Sequence, residues 1–337
     1  MDSVYHIKAR LLIFFALWPS VLPFSLYLLY LLPGYDQCVI NDPSSYGADH
    51  LLITSSEFGP NRTSLYGYDP SKVAAIIFLA TFGLATLVHV FQAIRSRLWF
   101  LFPTAILCGI GELLGWGFRL YGGSHQLDRT AFTVQTAALI VSPTPLIAVC
   151  FVLLGRLVTL LGPQYSRLSA RACMSPRITA DVVCLLVQGI GGGRAAGSNT
   201  LSKAQTFGWV VFGGIVLQLV SLLLFTALAV EFLWRYLSDK PLRKSGSLAV
   251  HGPLSLRLRW LIHGMSIMLG LFLIRSLYRV VELSGGWGGP MLDVQWAFCV
   301  FDATMILLAM ATLNVLHPGW LFLPEQKMAG RIEKSVG

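Results

Sequence analysis

Ile274-Arg-Ser-Leu-Tyr-Arg-Val-Val-Glu282 closes a long apolar run and sets Arg275, Arg279 and Glu282 on one helical face. Steps of four and three residues return to nearly the same direction at about 100° per residue. The surrounding stretch, Trp260 to Val281, reads as a membrane span. An arginine near the centre of a bilayer costs about 2.5–3.5 kcal/mol on insertion scales, so a chain that keeps one there gives it a partner or a use.

Composition points the same way. The 337 residues are 55% hydrophobic and 12% charged, with a mean hydropathy of +0.67, against roughly 25% charged in soluble domains. Length alone would accommodate two soluble domains, but the apolar runs leave no room for them. The net charge of +9 lies in basic residues between apolar spans rather than on one amphipathic face. That placement marks topology, not nucleic-acid binding. Six cysteines without CxxC spacing suggest no disulfide framework; Cys108, Cys150, Cys184 and Cys299 fall inside apolar runs, and Cys38 has no evident extracellular mate.

The sequence predicts an all-α bundle of seven membrane spans, near 73–94, 98–120, 131–155, 178–193, 207–233, 258–283 and 294–316. Most have the roughly 20 residues needed to cross the hydrocarbon. The fourth is the weakest, short and carrying Asp181, Gln188 and Gly191-Gly-Gly193. An additional apolar stretch, Leu11–Leu32, follows Lys8 and Arg10 and exceeds a usual signal-peptide core, with no A-x-A-like site after it; it reads as a signal or, by preference, an uncleaved anchor. The chain then divides into an N-terminal segment (1–32), an extracellular segment (33–72), the seven-helix domain (73–316) and a cytosolic tail (317–337).

Lysine and arginine orient it. One set of connections holds Arg95 and Arg97, then Arg167, Arg171 and Arg177, then Arg235, Lys240, Arg243, Lys244, Arg257 and Arg259, and the tail adds Lys327, Arg331 and Lys334. The opposite set has Arg129, Arg194 and Lys203. The basic side, with the C-terminus, is expected in the cytosol, which leaves Asn61-Arg-Thr63 outside as a glycosylation acceptor. The basic 235–259 loop is a candidate contact for a cytosolic partner or anionic lipid.

On this topology Glu112, Arg275 and Asp302 lie about eight or nine residues below the outer ends of three helices, roughly 12–14 Å deep. Arg119 lies seven residues beyond Glu112 on the same face, level with Arg279 and Glu282. A buried, charge-balanced cluster follows, either an ion-pair lock between helices or a binding site. Near the cytosolic ends, His89, Asp181, His263 and His317 form a second set that could hold zinc in a membrane lipid amidase. Pro143 and Pro145 should kink the third span, a possible hinge or gate. Gln135, Gln188 and Gln218 suit interhelical hydrogen bonds, and Gly213-Gly214 with Gly109, Gly111, Gly115 and Gly117 suit close helix packing. No G-x-x-x-x-G-K-[ST], H-E-x-x-H or G-x-S-x-G occurs. No nucleotide or other cofactor is therefore expected, and any transport would be downhill or coupled to an ion gradient.

Several motifs together resemble the fungal lipid-translocating exporter family, which includes aminocholesterol-resistance proteins and a sphingoid long-chain base exporter. They run from Tyr68-Asp-Pro70 to His317-Pro-Gly319. Among them are Glu112-Leu-Leu-Gly-Trp-Gly-Phe-Arg119, Gln135 leading to Ser142-Pro143, Leu154-Gly-Arg156, Gln188-Gly189, Gly213-Gly214 with Gln218, Ile274–Glu282 and Phe301-Asp-Ala303. Trp116 stands where the family usually has Tyr, Gln295 where an acid is expected, and the N-terminal apolar stretch is unusual for it.

The resemblance implies a seven-helix plasma-membrane protein, N-terminus outside and C-terminus inside. It implies movement of sphingoid bases or related amphiphiles, resistance to toxic lipids or drugs, and no enzymatic activity. Glu112 and Asp302 would then receive the lipid ammonium, with Arg275 and Arg279 keeping those carboxylates ionised. A seven-helix receptor or lipid-stress sensor is the alternative reading, and the zinc amidase the third.

Overall fold

The computed structural model describes residues 66, 68–167, 170–198, 200–242, 254–286 and 290–325. Leu11–Leu32, Cys38, Asn61, the 243–253 part of the basic loop and the tail lysines and arginine lie outside them, as do the expectations placed there.

Among the described residues all regular structure is helical. Helix α1 (Lys72–Ser96) starts where the Ser71 hydroxyl accepts from the Ala74 N–H, and ends with Arg97 in the left-handed region. A short 3-10 turn (Trp99–Leu101) and a π segment (Phe102–Ile106) lead into α2 (Leu107–Gly122). Asp128 caps α3 (Arg129–Val141), and after Ser142 the chain continues as α4 (Pro143–Leu161). Next come α5 (Ala170–Ala196), α6 (Leu201–Leu237) and α7 (Leu256–Ser284), the last capped by Ser255. The final run is α8 (Gln295–Phe298), a π segment (Cys299–Thr304), α9 (Met305–Val315) and α10 (Pro318–Leu321).

Among the described residues six stretches are long and apolar enough to cross a membrane: Lys72–Ser96, Trp99–Gly122, Arg129–Leu161, Ser202–Leu237, Leu256–Ser284 and Gln295–Glu325. The stretch read as a short fourth span belongs to α5, whose 27 residues include Arg171, Arg177, Asp181 and Arg194 and whose hydropathy falls below the other six. The third span runs on through Ser142, whose backbone stays in the α-helical region and whose N–H still donates to the Ala138 carbonyl at 2.9 Å. Prolines at 143 and 145 lack the N–H that the helix ladder uses, and α3 gives way to α4 at that point.

Each helix packs on its neighbours in the chain: α1 on α2, α2 on α3, α3 and α4 on α5, α5 on α6, α6 on α7, α7 on α9, and α9 back on α1. Helix α4 also meets α7 across the bundle. The burial pattern is that of a protein dissolved in lipid. Leu87 and Phe91 are each 69% exposed and Val315 72%, whereas Glu112 is fully buried and Asp302 2% exposed. In water such an apolar exterior would aggregate. The molecule is an integral membrane protein.

Glycines set several close approaches. A Cβ at Gly111 would stand 2.6 Å from Ser142 Cβ, one at Gly214 would stand 2.7 Å from Gln188 Cγ, and Gly109 and Gly115 press on Thr86 and Leu139. Gly117 and Gly213 face open space and have no packing role of this kind. Gly111→Ala should therefore cost about 1–3 kcal/mol through overpacking, while Gly117→Ala should be neutral or stabilise by up to roughly 1 kcal/mol through helix propensity. Melting midpoints of the two purified variants check this; equal midpoints would contradict it.

Candidate functional site

Helices α2, α3 and α7, with the last span, converge on a buried cluster at the end of the bundle that carries Tyr68. Glu112, Arg119, Arg275, Arg279, Glu282 and Asp302 are all buried there. Helical rise fixes their depth, so the sequence could place them at related levels. Packing decides who meets whom.

Arg275 Nε lies 2.8 Å from Asp302 Oδ1, an ionic contact off the hydrogen-bond axis. Arg279 Nη1 donates to Glu282 Oε2 at 2.6 Å, and the Tyr278 hydroxyl donates to the other Glu282 oxygen at 3.1 Å. Among the described residues Glu112 has no ion-pair partner. Its Oε1 accepts from the Ser142 hydroxyl and its Oε2 has no hydrogen-bond partner in the protein. The sequence reading set Arg275 and Arg279 beside Glu112 and Asp302; in the structure Arg275 meets Asp302 and Arg279 meets Glu282, while Glu112 faces Ser142. Ser142, where α3 meets α4, lies against Gly111 of α2 and donates to Glu112.

Arg119 is the other member without an opposite charge. Its guanidinium carbon lies 5.1 Å from the Phe298 ring centroid, 5.5 Å from Trp116, 5.6 Å from Tyr68 and 5.9 Å from Tyr66. Its Nη2 donates to the Tyr68 hydroxyl. Four ring faces attract a cation by roughly 0.5–2 kcal/mol each when it is desolvated, and this takes the place of a carboxylate. Burial pushes the Tyr68 phenol up, so it stays neutral and accepts from the guanidinium.

The segment before α1 lies across this end. Tyr66 packs edge-on to Phe132 at 5.0 Å. With its amide oriented to satisfy both atoms, Gln295 donates to the Asp69 carbonyl at 3.3 Å and accepts from the Ser71 N–H at 3.1 Å. Tyr68 and Gln295 thus join the site. The sequence marked both only as parts of motifs, because their role needs a contact far away in the chain.

Asp302 sits within the π segment, where Thr304 Oγ1 donates back to the Cys299 carbonyl at 2.8 Å. Single π turns recur at functional sites, and the wider turn resets the direction of every later side chain.

The two packing glutamines differ. Gln218 Nε2 donates to Thr144 Oγ1 at 3.4 Å, tying α6 to α4, whereas Gln188 lies against Gly214 with its Nε2 unpartnered. Pro143 is buried at the start of α4.

The four-residue metal set does not assemble. His89 and His317 are both fully buried at the opposite end of the bundle. His263 is exposed, with Nδ1 2.6 Å from the Arg259 carbonyl one turn away, and Asp181 belongs to α5. Among the described residues no three His, Cys, Asp or Glu side chains converge on a metal-sized site. His317 Nδ1 instead caps α10 by accepting from the Gly319 N–H.

The architecture and cluster define a polytopic helical membrane protein with buried ion pairs at one end of its core. Residues 105–325 match the family described as RTA1 like protein, more than half of the chain, and the chain belongs to that family. It is 29% identical over 299 residues to the Sphingoid long-chain base transporter RSB1 of Saccharomyces cerevisiae, covering 80% of this chain and 78% of that one. It is also 25% identical over 285 residues to the Probable lipid transporter atnI of Emericella nidulans (81% and 72% covered). Protein RTA1 of Saccharomyces cerevisiae is 26% identical over 281 residues (75% and 84% covered). No solved structure matches.

Proposed function

We propose that this protein moves sphingoid long-chain bases or closely related amphiphiles across the plasma membrane, and that it is a transporter, not an enzyme. Helix α5 serves as a seventh span, and the cluster lies in the outer half of the bundle with the C-terminus in the cytosol. The relatives' names supply the substrate class. The observation that carries the reading is Glu112, which among the described residues of the buried cluster is the acid without an ion-pair partner, its Oε2 open to a further donor.

A sphingoid base carries one ammonium next to hydroxyls at the end of a long chain. A buried carboxylate with an unpaired oxygen costs several kcal/mol unless it is protonated or meets a cation. An arriving ammonium removes that cost and is itself desolvated in return. Arg275 and Arg279 are engaged with Asp302 and Glu282, and Arg119 is held among aromatic rings, so Glu112 is the acid of the cluster left to meet an added positive charge. The alkyl chain stays in lipid or lies along the proline-containing α3–α4 span.

The test is outward movement of a labelled sphingoid base in cells that lack their own exporter, with and without this protein. The same base with its amine acetylated has no ammonium and should move at least roughly 30-fold more slowly, the lower end of the effect of unpairing a buried charge. Equal rates for the two would remove Glu112 as the ammonium site. No movement of either would remove the substrate class.

A further inference from the structure

The short run from Tyr68 to Ser71, with Tyr66 ahead of it, is fastened differently along its two edges. Towards α1 and the last span the ties are to its backbone. Gln295 holds the Asp69 carbonyl and the Ser71 N–H, and the Ser71 hydroxyl caps α1. Towards α2 and α3 the ties are between side chains. The Tyr68 hydroxyl accepts from Arg119, and an Asp69 carboxylate oxygen accepts from the Gln126 amide. Tyr66 packs on Phe132, with its hydroxyl against Gly122. Backbone ties at one edge and side-chain ties at the other describe a flap that pivots at Ser71 and latches on α2.

The flap covers a seam between helices. Arg119 reaches from α2 towards the last span, its guanidinium carbon 5.1 Å from the Phe298 ring, and Trp116 lies 5.9 Å from the same ring. Tyr68 meets that guanidinium from the flap. Glu112 lies two turns deeper on α2, about 10 Å of helical rise from Arg119. A headgroup that leaves Glu112 between α2 and the last span therefore meets Arg119 and Tyr68 on its way. Rings and one hydroxyl hold Arg119, two of those rings belong to the flap, and such contacts release more readily than a buried ion pair.

We infer that Tyr66 and Tyr68–Ser71 form the outer gate of the path, with Arg119 and Tyr68 as its latch and Gln295 as its pivot. This rests on the reading of the protein as an exporter with Glu112 on the path, and it assigns the exit to residues that reading leaves unused. Closed, the flap keeps the Glu112 site apart from water outside; open, it lets the ammonium exchange the carboxylate for water.

The experiment ties the flap down. Asp69→Cys with Gln126→Cys puts one thiol on each side of the latch, at exposed positions whose side chains touch. A short bis-methanethiosulfonate bridges thiols too far apart for a direct disulfide and is removed by reductant. Export of labelled sphinganine should be lost on bridging and return on reduction, while wild type treated in the same way exports throughout. The same folded protein is read in both states, so a merely structural role does not produce this reversal. Bridged protein, verified by the mass of its linked fragments, that exports at the unbridged rate would overturn the gate and leave the Glu112 reading standing. If the unbridged pair is inactive, Pro70→Cys with Gly123→Cys takes its place, since a Cβ at Gly123 would stand 3.3 Å from the Pro70 carbonyl oxygen. If wild type exports nothing, both readings fall together.

Discussion

Glu112→Gln should abolish export of a sphingoid base in protein that still folds and reaches the membrane. The substitution is nearly isosteric. It removes no ion pair among the described residues, and the new amide oxygen can still accept from the Ser142 hydroxyl. What disappears is the negative charge that would meet the ammonium. Unpairing one member of a buried charge pair costs about 2–5 kcal/mol, which corresponds to a loss of roughly 30-fold to several thousandfold. Export rate normalised to surface protein, with the melting midpoint of the purified variant, separates the outcomes. A folded variant that exports normally would exclude Glu112 from the path. A variant that unfolds would make the carboxylate a structural element instead.

Arg275→Met should behave in the opposite way, losing stability first. It strips Asp302 of its counter-charge in a site where both partners are buried. Removing one member of such a pair costs about 3–5 kcal/mol, chiefly because the remaining charge is left in a low dielectric. A fall in melting midpoint on the order of 10 °C follows for a chain of this size. Replacing both partners, as in Arg275→Met with Asp302→Leu, should recover most of it, since apolar packing of similar volume does as well as a buried pair. The contrast matters for the cluster as a whole. If the single variant melted with the wild type, the Arg275–Asp302 contact would carry no structural weight, and Asp302 would return as a candidate for the ammonium.

Much of this molecule is legible in one dimension. An apolar run of about 20 residues declares a span without reference to any other part of the chain. Helical rise then gives depth along the span, so Glu112, Arg275 and Asp302 could be set at one level, and Arg119 with Arg279 and Glu282 at another, before any contact was known. Pro143 marked the junction of α3 and α4 in the third span for an equally local reason, its missing N–H. The inner set failed on the same logic: similar depth brought His89, Asp181, His263 and His317 to one level, but His263 points out of the bundle.

Depth is a property of one helix, whereas direction around the axis and the choice of partner belong to pairs of helices. The amino-acid sequence thus determined a membrane protein with a buried cluster of acids and arginines. Only the tertiary structure decided that Asp302 pairs with Arg275, that Glu112 faces Ser142, and that Arg119 rests among aromatic rings with Tyr68. The π segment around Asp302 changes the residues per turn, and the Gly111 and Gly115 approaches fix the register of α2 on α3. Both depend on close packing between helices, which no periodicity within a single helix can express.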